Sequence, residues 1–266
     1  MKRKIFSILA VAIIAQACST VPVTGRKQLK LLPSSEMQAM SATEYDKFLA
    51  QNPPLPASDP EAQRIKQIGA DIAAATEKYL NENGHEGLVS DFDWTFNLVD
   101  DETLNAWCMP GGRVVFYAGI LPVCKNDNGI AAVMGHEVAH AVARHGNERM
   151  SQQLALQGAG MSLSAVLQEQ PALTHDLALQ AFGMGSQFGV LAYSRQHESE
   201  ADKMGLIFMA IAGYDPREAV KVWERMAQLG GQQPPEFMST HPSHETRIDE
   251  LNAFMDEAMK YYKPRN

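Results

Sequence analysis

Two hydrophobic rhythms run along the chain. Between residues 59 and 80, Ile65, Ile68, Ile72 and Ala75 recur at the three- to four-residue spacing of one helix face, behind an Asp59-Pro60 start signal. Phe92, Trp94, Phe96 and Leu98 instead alternate with polar residues, which predicts a strand; 114–117 predicts a second one, beyond a Pro110-Gly111-Gly112 turn. A shorter helix over 35–50 is set apart by the proline-rich residues 52–56. From Asn128 onward the pattern is helical, over 130–145, 148–168, 177–212, 216–229 and 245–261. The expected fold is α+β and mostly helical, with a small antiparallel or mixed sheet ahead of the long helices. No repeat of 20 to 50 residues is present. Between Arg149 and Arg195 the only acidic residues are Glu169 and Asp176. Gln, Ser and Gly interrupt that stretch too often for a transmembrane hairpin, so it reads as buried or lid-like helices.

The N-terminus carries a different signal. Lys2, Arg3 and Lys4 precede an apolar run over 5–15, broken only by Ser7 and closed by the small residues Ala15 and Ala17. This is the pattern of an export signal peptide over 1–17, and the run is far short of the roughly 20 residues that span a bilayer. Cys18 follows the cut. An ordinary signal-peptidase site is one reading; the preferred one is a lipobox, with Ala15 where leucine is usual, in which the Cys18 thiol is acylated. The polar stretch 21–26 then reads as an extended tether to a lipid anchor in the membrane, and Ser19 points to the outer membrane of a bacterial envelope, on the periplasmic side. The resulting division is signal peptide 1–17, tether and short helix 18–56, and main domain 57–266.

Composition narrows the picture further. An apolar fraction of 45% with 20% charged residues excludes a disordered chain. With 23 basic against 31 acidic residues the net charge is −8, which argues against nucleic acid as a partner. Three cysteines exclude a disulfide scaffold; Cys108 and Cys124 are either disulfide partners or two small buried apolar residues, and their spacing does not decide between these.

The chemistry concentrates at His136-Glu137-Val138-Ala139-His140, inside an apolar helical run. Residues four apart share a helix face, so both imidazoles can reach one metal ion while Glu137 stands beside it to hold a water. A catalytic zinc takes three protein ligands and keeps one position open. His145 is five residues beyond His140, about 140° around a continuous helix, and so points elsewhere. A carboxylate from a second helix is the remaining source. Glu198 and Asp202 lie four apart, so one turn can offer Glu198 to the metal and Asp202 to the outer nitrogen of a ligand histidine. A solvated acidic helix face is the blander reading. Glu200 turns about 200° away from Glu198 and His197 about 100°.

These residues resemble a known family. His136-Glu137-x-x-His140, with Ser194-Arg195-x-x-Glu198-x-Glu200-Ala201-Asp202, is similar to the motifs of the membrane-associated zinc peptidases that include HtpX, BepA, LoiP and the CAAX prenyl endopeptidase. Asn105-Ala106-Trp107-x-x-Pro110-Gly111-Gly112 and His241-Pro242-Ser243-x-x-x-Arg247-Ile248 also match, over about residues 60 to 255. Neither membrane helices nor a repeat domain is evident, so the lipid-anchored LoiP type is the nearest likeness. The resemblance implies a zincin-like domain with one Zn2+ per chain held by His136, His140 and Glu198, and Glu137 as general base. It implies that Asn105, Ala106 and Trp107 form an edge strand that pairs with the substrate backbone. It also places His241 and Arg247 around the metal, His241 stabilising an oxyanion or filling the open zinc position at rest; a loop histidine capping the next helix is the alternative for His241. His85 and His244 have no motif support and read as surface residues. The implied activity is endopeptidase action on unfolded or misassembled envelope proteins. An envelope chaperone or binding protein with a silent zinc site, and a small-molecule hydrolase, are the rival classes.

Overall fold

The computed structural model describes residues 18–167, 194–229 and 246–265. Helices α1 (Ser34–Gln51) and α2 (Pro60–Glu82) flank a three-stranded sheet. In α2 the Asp59 carboxylate accepts from the Ala62 amide at 2.9 Å and Pro60 opens the first turn, where its missing N–H costs nothing. The Ile65, Ile68, Ile72 and Ala75 face is fully buried. Gly69 lets the sheet approach closely, since a Cβ there would stand 2.3 Å from the Phe96 ring.

The sheet comprises β3 (Thr95–Val99), β4 (Ala106–Met109) and β5 (Arg113–Tyr117), in the order β3-β5-β4. β5 runs parallel to β3 and antiparallel to β4, so the chain leaves β3, travels along the edge and returns through the centre. The turn needs its glycines: Gly111 and Gly112 have φ of 96° and 84°, and a Cβ on Gly112 would stand 2.7 Å from the Trp94 ring. The first expected strand begins later than the alternation suggests, at Thr95, because Phe92 and Trp94 pack over this turn. Sheet residues alternate between two neighbourhoods. Phe96, Leu98, Val114 and Phe116 join the main core with α2, whereas Val99, Val115, Trp107 and Met109 face α1 through Tyr45 and Phe48. Cys108 and Cys124 are separate thiols, and burial pushes the Cys124 thiol up to about 12.

After the short helices Ala118–Ile120 (3₁₀) and α3 (Leu121–Cys124), α4 (Asp127–Val142) enters the middle of the domain. Asn126 caps it by accepting from the Gly129 amide. Nearly every α4 side chain is buried, the signature of a helix enclosed on all sides. It packs on α2, on β4 and on α7 (Arg217–Leu229), which in turn carries α8 (Arg247–Met259). Residues 194–211 form the helix α6. α4 and α6 meet at Gly135 and Gly205: a Cβ on Gly205 would stand 2.9 Å from the His136 amide nitrogen, and one on Gly135 2.9 Å from the Gly205 carbonyl. α4 ends at Val142 rather than at 145. The break falls at Arg144, whose φ is 58°, and α5 (His145–Leu167) departs from there in a new direction. No helix among the described residues is long and apolar enough to cross a membrane.

Residues 18–29 depart from the expected extended tether. They form a hairpin of β1 (Cys18–Thr20) and β2 (Lys27–Leu29), seated on α5. Val21 is fully buried, and Leu31 N–H donates to Ser151 Oγ at 2.9 Å. The hairpin is held chiefly by Arg26. Its guanidinium donates to both oxygens of Glu148 at 2.8 and 2.7 Å, and to both oxygens of Glu200 at 2.8 Å. Burial opposes ionisation of Glu148, but hydrogen bonds from Arg26 and His197 outweigh it and bring its pKa from 4.5 to about 2.

Gly205→Ala is expected to cost about 1–3 kcal/mol in urea unfolding, because backbone faces the added methyl. Gly146→Ala, with nothing within 4 Å of the added carbon, is expected to be neutral or slightly stabilising. Glu148→Gln is expected to lower stability by about 1–3 kcal/mol at neutral pH. A carboxylate whose pKa is depressed on folding contributes fully above its unfolded value and loses that contribution as pH falls through the folded one. The difference in melting temperature between wild type and Glu148→Gln is therefore expected to shrink as pH falls from about 4.5 to about 2.

Candidate metal centre

One turn of α4 supplies two imidazoles. His136 and His140 lie on the same face, with their Nε2 atoms 3.1 Å apart. Glu198 of α6 completes the group, fully buried, with Oε2 3.3 Å from His136 Nε2 and Oε1 3.4 Å from His140 Nε2. The ligand atoms of these three residues all lie within 4.8 Å of one another. Three donors bonded at about 2.0–2.1 Å to one tetrahedral centre stand about 3.3 Å apart, so this spacing suits a small dication. Two nitrogens and a carboxylate oxygen, with no fourth protein donor in the group among the described residues, also match the ligand chemistry of a catalytic zinc site.

Both rings are oriented from behind. His136 Nδ1–H donates to Asp202 Oδ1 at 2.9 Å, which leaves the Nε2 lone pair aimed at Glu198. Burial disfavours the charged ring, yet Asp202 and Glu198 outweigh it and His136 is shifted upward. His140 is shifted well downward, chiefly by burial. Its Nδ1 lies 2.9 Å from Nδ1 of His145, whose Nε2 is 3.2 Å from Glu200 Oε2. A carboxylate only accepts, so His145 donates its Nε2 proton to Glu200 and accepts at Nδ1 from His140. His140 then also presents a bare Nε2 to the centre. Burial holds His145 neutral, down to about 4.

A cation balances the acids. Arg247, only 1% exposed, donates from Nε and Nη2 to the two oxygens of Asp202 at 2.7 and 2.8 Å, and its Nη1 is 3.0 Å from Glu198 Oε2. The guanidinium lies 3.4 Å over the Trp223 ring, which also meets His136 edge-on at 5.7 Å. Asp202 is held below the usual carboxylate range; burial opposes this, and Arg247 and His136 overcome it. Glu137 is buried on α4, with Cys108 of β4 near enough for the Glu137 charge to help burial raise its thiol pKa.

The remaining expected site residues fall in several places. β4 lies at the edge of the sheet and packs on α4, with Asn105 buried just before it. Ala106 is fully buried, and the Trp107 side chain turns to the far side, against Tyr45 and Phe48. Beside His140 and β4 a pocket opens between Met37, Phe92, Cys108, Pro110 and Arg144. His241 and His244 lie outside the described residues, as does the signal peptide; the described part of residue 18 is its backbone. Sequence reasoning missed the role of His145, because helix-wheel arithmetic does not hold across a break whose positive-φ residue is an arginine rather than a glycine. It also missed Arg26, Glu148, Trp223 and the His197–Glu148 bond of 2.9 Å. The close spacing of His140, His145 and Glu148 directly after the apolar run was the available signal.

Comparison with known proteins gives a consistent result. The family description "Peptidase family M48" matches residues 61–255. The chain is 35% identical over 217 residues to the mitochondrial metalloendopeptidase OMA1 of Saccharomyces cerevisiae, covering 79% of this chain and 60% of that protein. It is 29% identical over 266 residues to the mitochondrial metalloendopeptidase OMA1 of Homo sapiens, covering 96% of this chain and 49% of the relative. It is 30% identical over 161 residues to the beta-barrel assembly-enhancing protease of Escherichia coli, covering 58% and 32%. The chain thus spans 60% or less of the length of each of these relatives. The motifs pointed to HtpX, BepA, LoiP and the CAAX prenyl endopeptidase, with LoiP as the nearest likeness; the relatives found are mitochondrial OMA1 proteins together with the beta-barrel assembly-enhancing protease. On the length and order of these matches, the chain is a member of peptidase family M48.

Proposed function

We propose that this chain is a zinc-dependent endopeptidase of the bacterial cell envelope. The observation that carries the reading is the convergence of His136, His140 and Glu198 on one point, with Glu137 buried on the same helix turn. The matched relatives named metalloendopeptidase and protease support peptide-bond hydrolysis, and the beta-barrel assembly-enhancing protease supports unfolded or misassembled envelope proteins as substrates. Cys18, directly after the small residues that close the apolar run, supports lipid anchoring of the LoiP type on the periplasmic side of the outer membrane.

His136, His140 and Glu198 would hold the ion, with Asp202, Arg247 and His145 fixing their orientation. Bound there, zinc supplies a Lewis acid that acidifies water toward a pKa of about 7 and polarises a carbonyl. Glu137 accepts the proton of the attacking water and returns it to the leaving amine. An extended substrate adds alongside β4 by backbone pairing, which presents its carbonyls in order past α4. The pocket beside His140 receives one substrate side chain, and its Met37, Phe92 and Pro110 lining suits an apolar one. His241 is assigned the developing oxyanion.

Glu137→Gln is expected to keep one zinc per chain and the native circular dichroism while cleavage of unfolded casein falls at least about a hundredfold. A chelator is expected to abolish wild-type cleavage, and intact mass of protein made with its own leader is expected to show acylation at Cys18. Undiminished cleavage by Glu137→Gln overturns the catalytic assignment.

A further inference from the structure

Five side chains behind the metal centre form a closed ring. Arg26 bridges Glu148 and Glu200, Glu200 accepts a hydrogen bond from His145 Nε2–H, His145 stacks on His197 with centroids 4.2 Å apart and planes within 13°, and His197 returns to Glu148 at 2.9 Å. Thr24 adds a second tie from the hairpin, donating to Glu200 Oε1 at 2.7 Å. The ring reaches the centre through the 2.9 Å bond between the Nδ1 atoms of His145 and His140. Three separate pieces of chain meet in it: the hairpin at 18–29, the start of α5 and residues 197–200 of α6. The hairpin lies wholly outside the family match at 61–255.

We infer that Arg26 is a positioning residue for the metal centre: through Glu200 and His145 it fixes the ring orientation of His140, so the N-terminal hairpin is a working part of the zinc site. The chemistry is specific to arginine. Two carboxylates on different helices each take a paired contact from one planar fork, a geometry that a lysine ammonium does not reproduce. With Glu200 so fixed, His145 donates at Nε2 and is left with an acceptor at Nδ1. That in turn commits His140 to donate at Nδ1 and to offer Nε2 as a ligand. Without Arg26, Glu148 and Glu200 are two buried carboxylates facing one another across His145 and His197, and the register of the ring is lost. Unseating the hairpin therefore weakens metal binding at a distance from the metal itself.

This inference rests on the metal-centre reading, and the test separates the two. Zinc affinity of the full chain is measured by competition with a chromophoric chelator at pH 7, with near-ultraviolet circular dichroism of the zinc-free proteins confirming the fold. Arg26→Gln and Glu200→Gln are expected to weaken zinc binding about 10–100-fold, and Arg26→Lys to recover part of that loss. Thr24→Val, which removes one hydrogen bond and no charge, is expected to weaken it several-fold and decides the matter if Arg26→Gln does not fold. In a His145→Ala background, Arg26→Gln is expected to add less than about a twofold further loss, because the route is already cut. Unchanged affinity in Arg26→Gln, or in Thr24→Val where that variant decides, overturns the inference, as do independent, multiplying losses in the His145→Ala background. Failure of the wild type to take up zinc overturns the metal-centre reading instead.

Discussion

The contact of Gly135 with Gly205 is the constraint on which the rest depends. His136 and His140 come from one helix and Glu198 from another, and the two can share an ion only if the helix backbones nearly touch. Any side chain at either crossing position would hold them further apart. That approach buries Glu198 and Asp202 in an apolar interior, where unpaired carboxylates are untenable. Arg247 and His136 answer both, and Trp223 closes the stack from outside. The close crossing, the buried acids and the buried arginine are thus one solution to one geometric demand.

A second demand concerns His140. His136 has its own carboxylate, Asp202, on the helix that also carries Glu198. His140 is oriented at Nδ1 through another histidine, which must itself be oriented. The chain meets this by breaking the helix at Arg144, so that His145 folds back beside His140. The two ligand histidines are therefore supported differently, one from within the helix pair and one from the periphery.

How much of this the sequence disclosed follows from the range of the interactions. Helix α2 was legible from its Asp59-Pro60 start and its isoleucine spacing, and α4 from its apolar run, because both signals are local. Gly111 and Gly112 announced their turn, since positive φ makes glycine a strong marker. The β3-β5-β4 order was not readable, because which strand pairs with which is decided by packing on α1 and α2. At the site, the four-residue spacing revealed the paired imidazoles. The break at Arg144 falls on a residue that rarely takes positive φ, and Arg26 finds its partners 122 and 174 residues away. Polar residues in a short N-terminal stretch look like solvated chain until their distant counter-charges are known.

The hairpin also leaves no extended stretch of chain between residue 18 and the folded body. Strand pairing begins at Cys18 itself, with Cys18 opposite Leu29, and Val21 is already in the interior. An acyl chain on residue 18 would consequently have no slack behind it. Any group joined to residue 18 would move with the hairpin and with the Arg26 contacts that the hairpin carries into the body of the protein.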